Sequence, residues 1–144
     1  MTAAAGEEGS RLDLAGAPRM SRAREFREVL GDLGRLAGVR GGLIVTPDGL
    51  VVTADLPPRI PAEALAALAA TLGRELEVGT QQLGRGAFRT AFFSADDGTL
   101  FMGESPVGFL ILVADAGADP APVALALRNA LSRLEGAWRA GTEP

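Results

Sequence analysis

The chain has 144 residues, a mass of 14.8 kDa and a formal net charge of −4, with 47% hydrophobic and 22% charged residues. That is the composition of one globular domain, able to bury roughly 70% of its unfolded surface without disulfide or metal staples. There is no Cys, His, Tyr or Lys, so all 14 basic residues are arginine. Thiolate nucleophiles, imidazole bases, Cys/His metal sites, Schiff bases and a P-loop lysine are therefore excluded together.

The acid excess speaks against a nucleic-acid surface and against docking on anionic lipid. The longest apolar run, Phe109–Ala114, is too short to cross a bilayer. The first residues carry acid where a secretory signal carries base, so a cytoplasmic location is expected. Arginine without lysine, beside abundant Ala, Gly and Pro, reads as the imprint of a GC-rich genome.

Residues 1–20 have no sustained period and read as a disordered tail, with Met20 at its end a candidate start residue. From Ser21, an N-cap candidate, Phe26, Val29, Leu30, Leu33 and Leu36 recur at helical spacing. Arg22, Arg24 and Arg27, continuing the series from Arg19, alternate with Glu25 and Glu28 as a solvated face. Leu43–Val45 and Leu50–Ala54 flank Thr46-Pro47-Asp48-Gly49, the signature of a hairpin whose turn places glycine at positive φ. Leu56-Pro57-Pro58 breaks the pattern, and Pro61 opens a second helix with a stripe of Leu65, Leu68, Ala69, Leu72 and Leu76.

Phe88–Ser94 and Thr99–Met102 around Ala95-Asp96-Asp97-Gly98 read as a second hairpin, the two carboxylates being turn chemistry rather than a cation site. Gly84-Arg85-Gly86 leads into a strand, not a helix, and is discounted as a phosphate loop. Val107–Ala114 is nearly continuous in apolar character, which marks a strand covered on both faces. Asp119-Pro120 then starts a final amphipathic helix carrying Val123, Leu127, Ala130, Leu131, Leu134 and Trp138. The fold class is α+β, with an antiparallel sheet in the order α-β-β-α-β-β-β-α and one ordered domain over 21–140, followed by a disordered end at 141–144.

The segments Leu36-Ala-Gly-Val-Arg-Gly-Gly-Leu-Ile-Val45, Pro47-Asp-Gly-Leu-Val-Val52, the Ala/Leu-rich helix from Glu63 to Leu76 and Gly108-Phe-Leu-Ile-Leu-Val-Ala-Asp115 resemble the roadblock / dynein light chain family over most of residues 21–140. The resemblance implies a profilin-like five-stranded sheet with the first and last helices on one face and the middle helix on the other. It also implies a homodimer in which middle helices pair and third strands join two sheets. Bacterial members commonly regulate Ras-like small GTPases, one of them accelerating hydrolysis in gliding polarity. No catalytic residue, cofactor or metal is implied.

At about 100° per residue, the side of the middle helix opposite its leucines holds Glu63, Ala67, Ala70, Arg74, Glu77 and Gln81, with Ala66 at its edge. Small residues let a second helix approach, so Ala66, Ala67 and Ala70, with Phe88, Thr90 and Phe92 of an aromatic third strand, are the expected dimer interface. Glu63, Arg74, Glu77 and Gln81 are the expected GTPase contacts. Arg59, Arg74 and Arg85 read as surface arginines, with an inserted catalytic arginine as the alternative. The functional expectation is a non-enzymatic module that activates or scaffolds a Ras-like GTPase. The alternative is a small-molecule sensor or structural scaffold with its ligand beneath the middle helix.

Overall fold

The computed structural model describes residues 22–142. The Ser21 cap, the tail with Met20, and Glu143-Pro144 lie outside the described residues. The first helix, α1, spans 22–34, and β1 (Val39–Val45) and β2 (Val51–Asp55) follow it. Next come α2 (Ala62–Gln82), β3 (Thr90–Ala95), β4 (Gly98–Ser105), β5 (Gly108–Ala114) and α3 (Pro120–Thr142). The five strands form one antiparallel sheet in the order β2-β1-β5-β4-β3. The apolar run expected to be central is central: β5 lies between β1 and β4, with Leu110, Ile111 and Leu112 fully buried.

The two faces of β5 feed two separate cores, because successive side chains point to opposite sides of a strand. Leu110, Leu112 and Phe101 meet Phe26, Leu30, Leu127 and Leu134 of α1 and α3. Phe109, Ile111 and Met102 meet Leu65, Ala66 and Ala69 of α2. Outer and middle helices thus sit on opposite faces, as the resemblance implied.

Local chemistry sets the connections. Gly49 takes φ +96° in the β1–β2 turn and donates its N–H to the Thr46 carbonyl at 2.9 Å. The Thr46 hydroxyl accepts from the Leu50 N–H at 3.0 Å, closing the turn from its other side. Beyond it the register slips, so that Val45 faces Val51 while Ile44 faces Thr53 and Val52 is the extra residue. Asp119 caps α3 by accepting the Ala121 N–H, with Pro120 at the first helical position.

Several boundaries move. Pro61 is the residue before α2 rather than inside it, and the helix passes Leu76 to run to Gln82. The third strand begins at Thr90, leaving Phe88 and Arg89 in the approach to it. The last helix continues to Thr142, beyond the expected end at 140.

α3 is tied to α1 by charge. Arg133 donates to Glu25 and, at 2.8 Å, to Asp32, with Glu28 at 3.4 Å. Arg22 departs from the solvated face assigned to it: its guanidinium stacks 4.1 Å over the Trp138 ring, and its Nε is buried.

A candidate interaction surface on α2 and the β3 edge

α2 lies against the sheet on a stripe of small residues. Leu65, Ala66, Ala69, Ala70 and Gly73 are its buried positions, and a Cβ at Gly73 would come within 2.4 Å of the Phe109 ring. This corrects the expected orientation. Ala66 and Ala70, assigned to an outer dimer face, are in the core at 0% and 3% exposure. Leu68, assigned to the core, is 42% exposed. A helix packs closest on the side with the least bulk, and four Ala/Gly positions spaced i, i+3, i+4 and i+7 supply that side.

The solvent face includes Ala64, Ala67, Leu68, Thr71, Glu75 and Val78, with Val78 54% exposed and Leu83 beyond the helix end also in solvent. Of the expected interface alanines, Ala67 alone faces outward. Ala64, Thr71 and Val78 escape a reading by leucine content; the unbroken Ala/Gly spacing ending in Gly73 is the signal that turns the helix the right way.

The expected contact residues divide. Glu63, Arg74 and Gln81 are exposed and share one stripe, although Glu63 and Gln81 stand about 27 Å apart along the axis at 1.5 Å per residue. Arg74 is already engaged: its Nη1 donates to the Pro47 carbonyl in the β1–β2 turn. Beside it, the Asp48 carboxyl is held below its ordinary value by the Thr46 hydroxyl, then by a backbone N–H, with Arg74 adding a smaller pull.

Glu77 is half-buried, and its Oε1 accepts the Phe88 N–H at 3.1 Å. It pins the approach to β3 instead of standing free on the surface. Burial, and then the nearness of Glu77, raises the Glu104 carboxyl above its usual range. Arg59 and Arg85 are exposed in loops, and Gly84 and Gly86 take φ +71° and +85° as the chain leaves α2. Asp96 and Asp97 form the two-residue turn between β3 and β4.

At the sheet edge, Thr90 is exposed and Phe92 is 53% exposed, stacked on Phe101 with centroids 5.3 Å apart. Phe93 turns to the α2 side, as strand alternation requires. Phe88 is a second correction: it is buried beneath α2, 6.5 Å from the Phe109 ring, and is core rather than interface.

Residues 25–115 match the model of the Roadblock/LC7 domain. The chain belongs to that family. Among solved structures, Myxococcus xanthus MglB superposes on this roadblock domain with a TM-score of 0.77 at 17% identity, covering 85% of this chain and 93% of its own. The gliding protein MglB of Thermus thermophilus gives 0.72 at 22% identity, covering 83% and 92%. An MglB in a tetrameric arrangement gives 0.74 at 23% identity, covering 83% and 92%. At these identities the likeness is one of fold. No helix among the described residues of the roadblock domain is long and apolar enough to cross a membrane.

Proposed function

We propose that this roadblock domain is a non-enzymatic homodimeric module that binds and regulates a Ras-like small GTPase, using α2 and the β3 edge as its interaction surface. The observation that carries the reading is the outer face of α2. The 21-residue helix sets Ala67, Leu68, Thr71 and Val78 in solvent, with no element of its own chain over them among the described residues. Such a face on a regular element fits a protein partner. The tetrameric arrangement of one MglB supports self-association of this fold. The Ras-like partner rests on the family resemblance. A chain without Cys, His or Lys, whose Arg74 is bonded to its own turn, fits a regulator more easily than a catalyst.

In this reading Ala67 and Leu68 meet the partner helix, and the Phe92 edge extends the sheet into the second copy. The exposed stripe of Glu63, Arg74 and Gln81 remains as the rim for the GTPase. Regulation is then a population shift. The dimer moves a switch region only as far as its affinity differs between the two nucleotide states. Any acceleration of hydrolysis comes from ordering the GTPase's own groups.

The test is to isolate the GTPase that co-purifies with the domain and measure its affinity when loaded with a GTP analogue and with GDP. Preference for one state by tenfold or more, about 1.4 kcal/mol, is the expected result. Equal affinity leaves a passive scaffold, and absence of any GTPase overturns the reading.

A further inference from the structure

We propose that the groove between α3 and the adjoining ends of β3 and β4 binds an organic anion: an apolar body bearing a carboxylate or phosphate. The groove has a volume of about 740 Å³, within the range of small-molecule sites. It opens on the α3 side of the sheet, away from the outer face of α2, and shares Thr90 with the β3 edge assigned above to the dimer. Its wall combines the two kinds of surface such a ligand needs. Leu131 and the Trp138 ring are apolar, while Arg128 and Ser132 offer N–H and O–H donors.

The charges on the groove wall point to an anion, because they are unevenly spent. Arg139 faces Glu135 at 3.9 Å, and Glu104 lies close to Glu77 with Arg89 as its counter-charge. Arg128 has no hydrogen-bonded or ion-paired partner among the described residues. A guanidinium fork one helical turn from the Ser132 hydroxyl suits the flat or tetrahedral oxygens of a carboxylate or phosphate. The Trp138 face, with Arg22 stacked against it, holds the floor rigid for an apolar body.

Trp138 is the chain's one tryptophan and there is no tyrosine, so intrinsic fluorescence comes from one residue on the groove wall. The purified full chain is titrated with benzoate and with phenyl phosphate, using benzamide as the neutral control. The proposal expects a saturable change in emission with at least one anion, and benzamide weaker by about tenfold or more. The tighter of the two anions identifies the headgroup. Arg128→Gln, at an exposed position, should weaken that binding about tenfold. No saturable change with either anion, a response to benzamide as strong as to the anions, or unchanged affinity in Arg128→Gln would each overturn the proposal.

Discussion

Gly73 of α2 sits on the ring of Phe109 of β5, so close that a Cβ there would lie 2.4 Å from two ring carbons. In an exposed helix, Gly→Ala gains about 1 kcal/mol from propensity. Here the gain is outweighed, because the ring is buried between helix and sheet and has nowhere to go. Gly73→Val should destabilise the domain by about 2–3 kcal/mol through overpacking, read as a lower urea midpoint. Gly79, with open space around it, is the control: Gly79→Ala should leave stability unchanged or slightly raised.

That contact also marks where the sequence misleads. The order of elements along the chain, both hairpins, the buried β5 and the Asp119 cap are legible because each rests on a local signal: alternation, a Pro-Asp-Gly turn, continuous apolarity, Asp before Pro. The orientation of α2 is not. Leucine content ranks a face by transfer free energy, which puts Leu68 inside. Packing against a sheet ranks it by how near the backbone can come, which puts Ala66, Ala69, Ala70 and Gly73 inside. Phe88 misleads for a related reason. Its neighbours read as strand, whereas the Glu77 carboxylate holds its N–H and turns the ring under the helix. Neither that bond nor the Arg74–Pro47 bond, across 27 residues, leaves a trace in spacing.

The outward position of Ala67 and Leu68 sets the test of the proposed dimer. Ala67→Arg with Leu68→Arg places two cations on exposed positions and should give a folded monomer by light scattering at ~20 µM. Ala70→Arg should instead unfold the chain, since Ala70 is 3% exposed against the sheet. Were the double variant to keep the wild-type mass, the partner would lie elsewhere.

Glu104 is the carboxyl raised by burial and by its neighbour Glu77. A group whose folded value is raised favours the native state while it is protonated and withdraws that support as pH rises through the folded value. Glu104→Gln keeps the shape and removes the charge. Its melting temperature should exceed that of wild type at neutral pH, with the difference shrinking as pH is lowered into the carboxylate range. Thermal melts across pH 4–8, a range spanning roughly the ordinary carboxylate value and neutrality, check this.

The Arg133 cluster has the opposite sign. The Asp32 carboxyl is lowered from its usual 3.8, first by the Arg133 hydrogen bond, with the nearby arginines adding to it. A lowered group supports the native state above its unfolded value and loses that support as pH falls through the folded one. Arg133→Ala should therefore lower the melting temperature by a few degrees at neutral pH, order-of-magnitude for an exposed three-carboxylate network. The deficit should shrink as pH falls below the usual 3.8 and through the lowered Asp32 value, and should narrow at high salt, since every partner is solvent-accessible.

Arg74 separates two mechanisms with one substitution. Its Nη1 bonds the Pro47 carbonyl and its charge lies near Asp48, so the side chain is spent on joining α2 to the β1–β2 turn. If that is its whole role, Arg74→Ala loosens the turn. Faster amide exchange is then expected at Asp48, Gly49 and Leu50, with GTPase affinity weakened modestly and hydrolysis falling in step with binding. An inserted catalytic arginine predicts a different split. Affinity would be retained, while hydrolysis at saturating domain would drop by about 10³-fold or more. Arg74→Lys adds the deciding arm. A lysine preserves the charge and can still donate to the carbonyl, so it should restore the turn's exchange rates and most of the binding, whereas a planar fork at a transferring phosphoryl group is not replaced by an ammonium. Recovery of both readouts in Arg74→Lys is the expected outcome. Recovery of binding without hydrolysis would establish the arginine as catalytic.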